Sequence, residues 1–178
     1  NADGSFKRVK IQGKEYYGEK LLAKSDQLIR TAYFAEDGEE KNYALDFVWY
    51  MWCGPNSPLF DKDKMATFEG YFVDDAELKK EKKGDYYTLR NQADVCDTIL
   101  REFGVEPDEH SHIINGHVPV RTLKGEEPIK ANGKMLVIDG GFSKAYQPKT
   151  GIAGYTLVYH SHGFELVQHE PFQSSQKA

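Results

Sequence analysis

An α/β (α+β) fold, with a helical layer toward the N-terminus and β-strands toward the C-terminus, is predicted by three features of this sequence. Apolar residues recur at spacings of three and four through roughly the first hundred positions, as amphipathic helices require. From Ser111 onward the pattern changes to short β-rich runs separated by Gly, Pro and Asn. The chain has 178 residues, 39% hydrophobic and 13% aromatic, which is long enough for one domain with a real core. The expected organisation is therefore a single domain, mainly helical over 3–104 and mainly β over 105–172, with a short tail at 173–178.

The opening Asn1-Ala2 resembles a tag-cleavage scar joined to Asp3-Gly-Ser-Phe6, and such residues are set aside in fold reasoning. The first helix is expected over Tyr17 to Phe34, with Leu21, Leu22, Leu28, Ile29 and Ala32 facing inward and charged residues between them. A second, from about Gly38 to Trp52, should bury Tyr43, Ala44, Phe47, Val48 and Met51 and end at Gly54-Pro55. The two should pack as an antiparallel pair. Pro55 to Phe60, with two prolines, an asparagine and a serine, reads as an ordered loop without regular structure. That loop could order a substrate or simply cap the helix, and the sequence weights the two equally. The charge run Lys79-Lys-Glu-Lys-Lys-Gly-Asp85 is expected to be an exposed, mobile link. A third helix should begin near Asn91, turn Val95, Ile99, Leu100 and Phe103 inward, and stop at Gly104.

The expected strands are His112 to Asn115, Lys134 to Ile138, Gly154 to His160 and Gly163 to Gln168. The last two form a hairpin turning at Ser161-His162-Gly163, with Thr156, Val158 and His160 on its more polar face.

Charge and composition exclude several functions. A formal net charge of -5 and a pI near 5.7 give no basic face for nucleic acid. The longest apolar stretch, Ala44 to Cys53, is interrupted by Asp46 and too short to span a bilayer, so no membrane partner is expected. No secretory signal pattern is visible. Two cysteines, Cys53 and Cys96, are too few for a disulfide framework and fit a reducing, cytoplasmic setting, where both read as thiols without chemistry.

The chemistry-bearing stretch is His112-Ile-Ile-Asn-Gly-His117-Val-Pro-Val120, followed by Met135-Leu-Val-Ile-Asp139-Gly-Gly141. A short apolar strand runs into a turn that presents His117, and a second apolar strand ends in Asp-Gly-Gly. Neutral imidazole is the commonest metal ligand, and a turn on a rigid strand fixes its position. One ligand is not a site, since a catalytic metal needs about three protein ligands and an open position. Of the Asp-x-His, Gly-Asp and Gly-Asn-His-Glu signatures that would complete one, the last is absent and the first two occur once each, as Asp108-Glu109-His110 and Gly84-Asp85, so the full set is not present in the sequence. Either residues beyond this chain complete the site, or His117 is not a ligand. His110, His112, His160 and His162 match no standard zinc spacing, and surface or packing roles are favoured for them.

Three motifs together carry a family resemblance. Phe47-Val-Trp-Tyr-Met-Trp-Cys-Gly-Pro-Asn-Ser-Pro-Leu-Phe-Asp61, Ile113-Ile-Asn-Gly-His-Val-Pro-Val120, and Ile138-Asp-Gly-Gly-Phe-Ser-Lys-Ala-Tyr-Gln147 with Thr150-Gly-Ile-Ala-Gly-Tyr155 resemble the C-terminal part of the class III fructose-1,6-bisphosphatases of Firmicutes and related bacteria. The resemblance implies a calcineurin-like metallophosphoesterase whose strands belong to a central β-sandwich. It also implies a two-metal centre supported by manganese (Mn2+), which removes the 1-phosphate of fructose 1,6-bisphosphate in gluconeogenesis. The metals of such a centre lower the pKa of a bridging water and stabilise charge on the phosphoryl group.

Family members are several times longer, and their Asp-x-His, Asp and Asn-His ligands lie upstream of the matching region, as does a His-Gly-Cys-type loop. The chain is thus expected to be a C-terminal fragment, inactive alone, whose partner is the N-terminal catalytic part of the same protein. Of the family's metal ligands only His117 carries over by motif. Arg121 and Lys144 are candidates for holding phosphate, since an arginine fork matches phosphate oxygens and lysine supplies a point charge. Asn115 could add a hydrogen bond. Gly70 stands where the resemblance leads to an arginine. A second reading is a regulatory or oligomerisation module, with a homo-oligomer as the expected assembly, because Tyr43, Phe47, Trp49, Tyr50 and Trp52 crowd nearly every face of one helix.

Overall fold

The structure, a computed structural model, describes residues 1–55, 57, 59–116, 118–139, 144, 147–151, 154–170 and 174, without the side chains of 67–69 and 149. It is α/β, with helices and three small sheets. The chain divides into two compact units, Asn1–Leu89 and Arg90–Ala178. The second begins with a helix, so the helical-to-β change in the sequence falls inside it.

The first unit opens with a hairpin that the sequence pattern did not reveal, β1 (Val9–Ile11) paired antiparallel with β2 (Lys14–Tyr16). Gln12 and Gly13 turn it with φ of 49° and 80°. Two consecutive positive φ values suit a two-residue hairpin, because their twist matches that of the strands. Helix α1 (Gly18–Phe34) buries Leu21, Ser25, Leu28 and Ala32 along one stripe, and α2 (Glu39–Cys53) buries Ala44, Phe47 and Met51. The two helices pack against each other. With Ile11 they form one core, flanked by Val9 and Tyr16.

The expected inward faces were too wide. Leu22 and Ile29 on α1, and Tyr43 and Val48 on α2, are exposed, because a helix packed on one neighbour buries a stripe about one residue per turn wide. Past α2, the Tyr50 hydroxyl donates to Pro55 O at 2.6 Å and the buried Ser57 hydroxyl donates to Met51 O. The described part of the Pro55 to Phe60 loop is thus an ordered helix cap.

After the short helix α3 (Thr67–Phe72) comes the charge run. The structure corrects the expectation of a mobile link. Glu81 bonds Lys62 Nζ at 2.6 Å and the Ala66 N–H at 2.9 Å, and Gly84 N–H donates to Asp61 O at 2.9 Å. The alternating charges find partners across this segment, so it is fixed before α4 (Tyr86–Leu89).

In the second unit, α5 (Ala93–Glu102) buries Cys96 and Leu100. It ends at Gly104, with φ 74°, where Val105 N–H reaches Leu100 O and Gly104 N–H reaches Arg101 O. This is the Schellman cap that an αL glycine permits. Phe103, expected inside, is exposed because the helix has already ended there. Strand β3 (Ile113–Asn115) lies parallel to β5 (Met135–Val137), and β4 (Ile129–Lys130) is antiparallel to β5, giving the order β3-β5-β4 with β5 central. All three β5 residues are buried, as an unbroken apolar run predicts for a strand covered on both faces. Helix α6 (Gln147–Thr150) precedes the hairpin of β6 (Tyr155–His160) and β7 (Gly163–Gln168). The second core joins Cys96, Val120, Ala131, Met135, Val137 and Tyr155.

Candidate functional site

The parallel pairing of β3 and β5 brings the C-terminal ends of both strands to one edge of the sheet. In open sheets of parallel strands this is where ligand-binding loops gather. Asn115 ends β3 with its carbonyl accepting from Ile138 N–H at 2.9 Å, and Asp139 O accepts from Val120 N–H at 3.4 Å. Between these two bonds the Val118 N–H meets Gly116 O at 2.8 Å. His117 itself, the predicted metal ligand, lies outside the described residues. Among the described residues no group of three His, Cys, Asp or Glu side chains could hold a metal ion. Those residues do not by themselves form a metal centre.

Arg121 follows the turn directly. The structure places it at the start of a short 3-10 turn (Thr122–Lys124), after which Gly125 adopts an αL conformation. Its backbone N–H donates to Glu126 Oε2 at 3.1 Å, and its Nε lies 3.5 Å from the same oxygen. The other oxygen, Oε1, takes Arg90 Nη2 at 2.6 Å and Lys130 Nζ at 3.0 Å. Arg90 and Lys130 side chains are only 6% and 8% exposed, Glu126 17% and Arg121 44%. Burial alone would raise the Glu126 pKa, but the Arg121 N–H and the Lys130 and Arg90 charges outweigh it and hold the carboxyl below its ordinary value.

Arg90, Glu126 and Lys130 were not singled out in the sequence. Arg90 lies 36 residues from Glu126, and only the fold joins them. The Glu126–Lys130 spacing of i,i+4 was the one local signal. Lys144 is exposed, and most of its sequence neighbours lie outside the described residues. Asn115 and Arg121 are thus set along one edge, while nothing described joins Lys144 to them. Gly70, where an arginine was expected, is exposed, with open space where a Cβ would stand.

The other histidines have ordinary roles. His112 Nδ1 lies 2.8 Å from Gly133 O and its ring packs edge-on to Phe164, while His160 Nδ1 accepts the His162 N–H. Cys96 is fully buried, and burial pushes its thiol pKa up, so it is inert toward electrophiles. Among the described residues no helix is long and apolar enough to cross a membrane.

Comparison with known proteins gives consistent matches. A protein named "Fructose-1,6-bisphosphatase class 3" from Bacteroides thetaiotaomicron is 74% identical over 179 residues, covering 100% of this chain and 27% of its own length. Proteins of the same name from Bacteroides fragilis and Phocaeicola vulgatus are 71% and 68% identical with the same coverage. The chain therefore spans about a quarter of the length of the curated relatives it matches. No solved structure matches it. The family model described as Firmicute fructose-1,6-bisphosphatase matches residues 1–178, and the chain belongs to that family.

Proposed function

We propose that this chain is part of a metal-dependent fructose-1,6-bisphosphate 1-phosphatase acting in gluconeogenesis in the cytoplasm. The observation that carries this reading is the family match across all 178 residues, with relatives that bear the fructose-bisphosphatase name. In this reading His117 is one ligand of a two-manganese centre. The remaining ligands, on a β-sandwich, come from the larger part of the polypeptide that the relatives possess. Bound metal would supply a water of lowered pKa and stabilise charge on the phosphoryl group. The chain's own part is to contribute His117 and to bind phosphate oxygens through Arg121, with Asn115 and Lys144 as further donors.

The test is phosphate release from fructose 1,6-bisphosphate with manganese, comparing the 178-residue chain, the polypeptide extended to the relatives' length, and the extended form with His117→Ala. The chain alone should be inactive, the extended form active, and the substitution should lower kcat at least a hundredfold. Robust turnover by the chain alone, or an active His117→Ala extended protein, would sink the assignment.

A second reading, a regulatory or oligomerisation module, is favoured by the apolar surface of the first unit. Tyr33, Phe34, Trp49, Trp52, Tyr71 and Phe72 all stand more than half exposed there. Light scattering on the chain tests it: a monomer at high micromolar concentration excludes self-association.

A further inference from the structure

Next to Arg121 the chain is tied to a segment 28 residues away. The Thr122 hydroxyl donates to the Thr150 carbonyl at 3.0 Å, which joins the 3-10 turn Thr122–Lys124 to the end of α6. Thr150 is buried, so the acceptor is a fixed point of the second unit. Glycine at 151 permits the close approach. Its φ of 74° is left-handed, and a Cβ there would stand 3.3 Å from both Thr122 Oγ1 and Leu123 Cγ.

The loop that this bond holds is closed upon itself. Arg121 O accepts the N–H groups of Lys124 at 2.9 Å and Glu126 at 3.2 Å, and Gly125 N–H reaches Thr122 O at 2.9 Å. Arg121 N–H in turn donates to Glu126 Oε2 at 3.1 Å. These bonds set the shape of residues 121–126 but not their placement. Placement comes from Glu126, which meets Arg90 and Lys130 at the far end, and from Thr122 at the near end, directly beside Arg121. The Arg121 side chain is 44% exposed, so it is fixed at its base and open to solvent beyond it.

We propose that Thr122 is a positioning residue that acts through Arg121: its hydrogen bond to Thr150 holds the loop where the guanidinium meets the substrate phosphate. An arginine on a fixed loop loses less freedom on closing around an oxyanion than one on a loose loop, and that difference appears in binding. Thr122 itself touches no substrate in this arrangement. The role rests on the reading of Arg121 as a phosphate-binding residue.

The experiment uses the polypeptide extended to the relatives' length, with Thr122→Val, which keeps the branched shape and removes the donor, and Thr122→Ser, which keeps the donor. In Thr122→Val the KM for fructose 1,6-bisphosphate should rise about three- to tenfold, the worth of one neutral hydrogen bond, with kcat within about twofold of wild type. Thr122→Ser should restore KM to within about twofold of wild type. Added to Arg121→Gln, Thr122→Val should change KM by less than about twofold, because a residue that acts through another has no effect once the other is gone. A merely structural role would lower the melting temperature without this dependence on Arg121. An unchanged KM in Thr122→Val, or an effect that adds in full to that of Arg121→Gln, overturns the proposal. If the extended wild type hydrolyses nothing, the functional reading falls, and the same variants are read by calorimetric titration of the metal-free protein with fructose 1,6-bisphosphate. A Kd raised about three- to tenfold by Thr122→Val, only when Arg121 is present, then keeps the positioning role. An unchanged Kd, or no saturable binding, overturns it.

Discussion

Replacing Glu126 by Gln keeps the shape of the side chain and removes its charge, leaving Arg90 and Lys130, at 6% and 8% exposure, without their common counter-ion. Removing one partner of a buried ion pair typically costs about 3–5 kcal/mol. Water still reaches Glu126, at 17% exposure, so the lower end, about 3 kcal/mol, is expected. Hydrogen exchange is the suitable assay, because it reads the second unit amide by amide. The Val137 N–H bonds Pro128 O at 2.8 Å beside β4, so its protection reads the stability of the sheet that Lys130 belongs to. A loss of about 3 kcal/mol corresponds to roughly a hundredfold faster exchange at Val137, since about 1.4 kcal/mol is a factor of ten. Exposed Glu127→Gln should change it by less than about 0.5 kcal/mol. The pH dependence has a definite sign. A carboxyl whose folded pKa is depressed adds stability that is present above its unfolded pKa and is lost as pH falls through the folded one. Wild-type protection should therefore decline below about pH 4.5, the ordinary glutamate value, and Glu126→Gln should flatten that part of the curve. Exchange in Glu126→Gln within threefold of wild type at neutral pH would refute the reasoning.

Met135→Ala removes a side chain only 2% exposed from the central strand and should cost about 2–5 kcal/mol, read as a lower urea midpoint with an unchanged slope. Gly104→Ala places a Cβ in open space but at φ 74°, so only the backbone penalty of about 1–2 kcal/mol is expected in thermal unfolding. Gly54→Ala differs in kind: its φ of -73° is ordinary, but the added Cβ would come within 2.6 Å of Tyr50 O. That clash forces the end of α2 to shift, with an expected loss of about 1–3 kcal/mol and a weaker Tyr50 to Pro55 contact visible in near-ultraviolet circular dichroism.

The legible parts of the fold were those with a strong local period. The α1 stripe from Leu21 to Ala32 and the apolar run of β5 come directly from residue spacing, and the β6–β7 hairpin turns where Ser161-His162-Gly163 suggested. The β1–β2 hairpin was not legible because three-residue strands rich in Lys carry too little alternation, and Gln-Gly is a weaker turn signal than Asn-Gly. β4 has two residues, one of them charged, and exists only because β5 offers it an edge. The charge run at Lys79–Asp85 looked solvated because its partners Asp61, Lys62 and Ala66 lie 15 to 23 residues away, beyond any local pattern. The candidate site divides in the same way. Asn115 and Arg121 were found from a turn motif, while Arg90, Glu126 and Lys130 emerge only when tertiary structure gathers their charges.

That gathering also explains how the segment around residue 117 is held. One end is fixed where Asn115 O accepts the Ile138 N–H, and the other where Val120 N–H reaches Asp139 O and Arg121 N–H reaches Glu126 Oε2. Val120, fully buried in the second core, pins the same end by packing. Glu126 contributes to both arrangements: it ties the exit of the turn through a backbone N–H and balances part of the charge that the structure gathers beside it. A histidine turn and a cationic cluster are thus joined through Arg121, whose backbone belongs to the first and whose guanidinium belongs to the second.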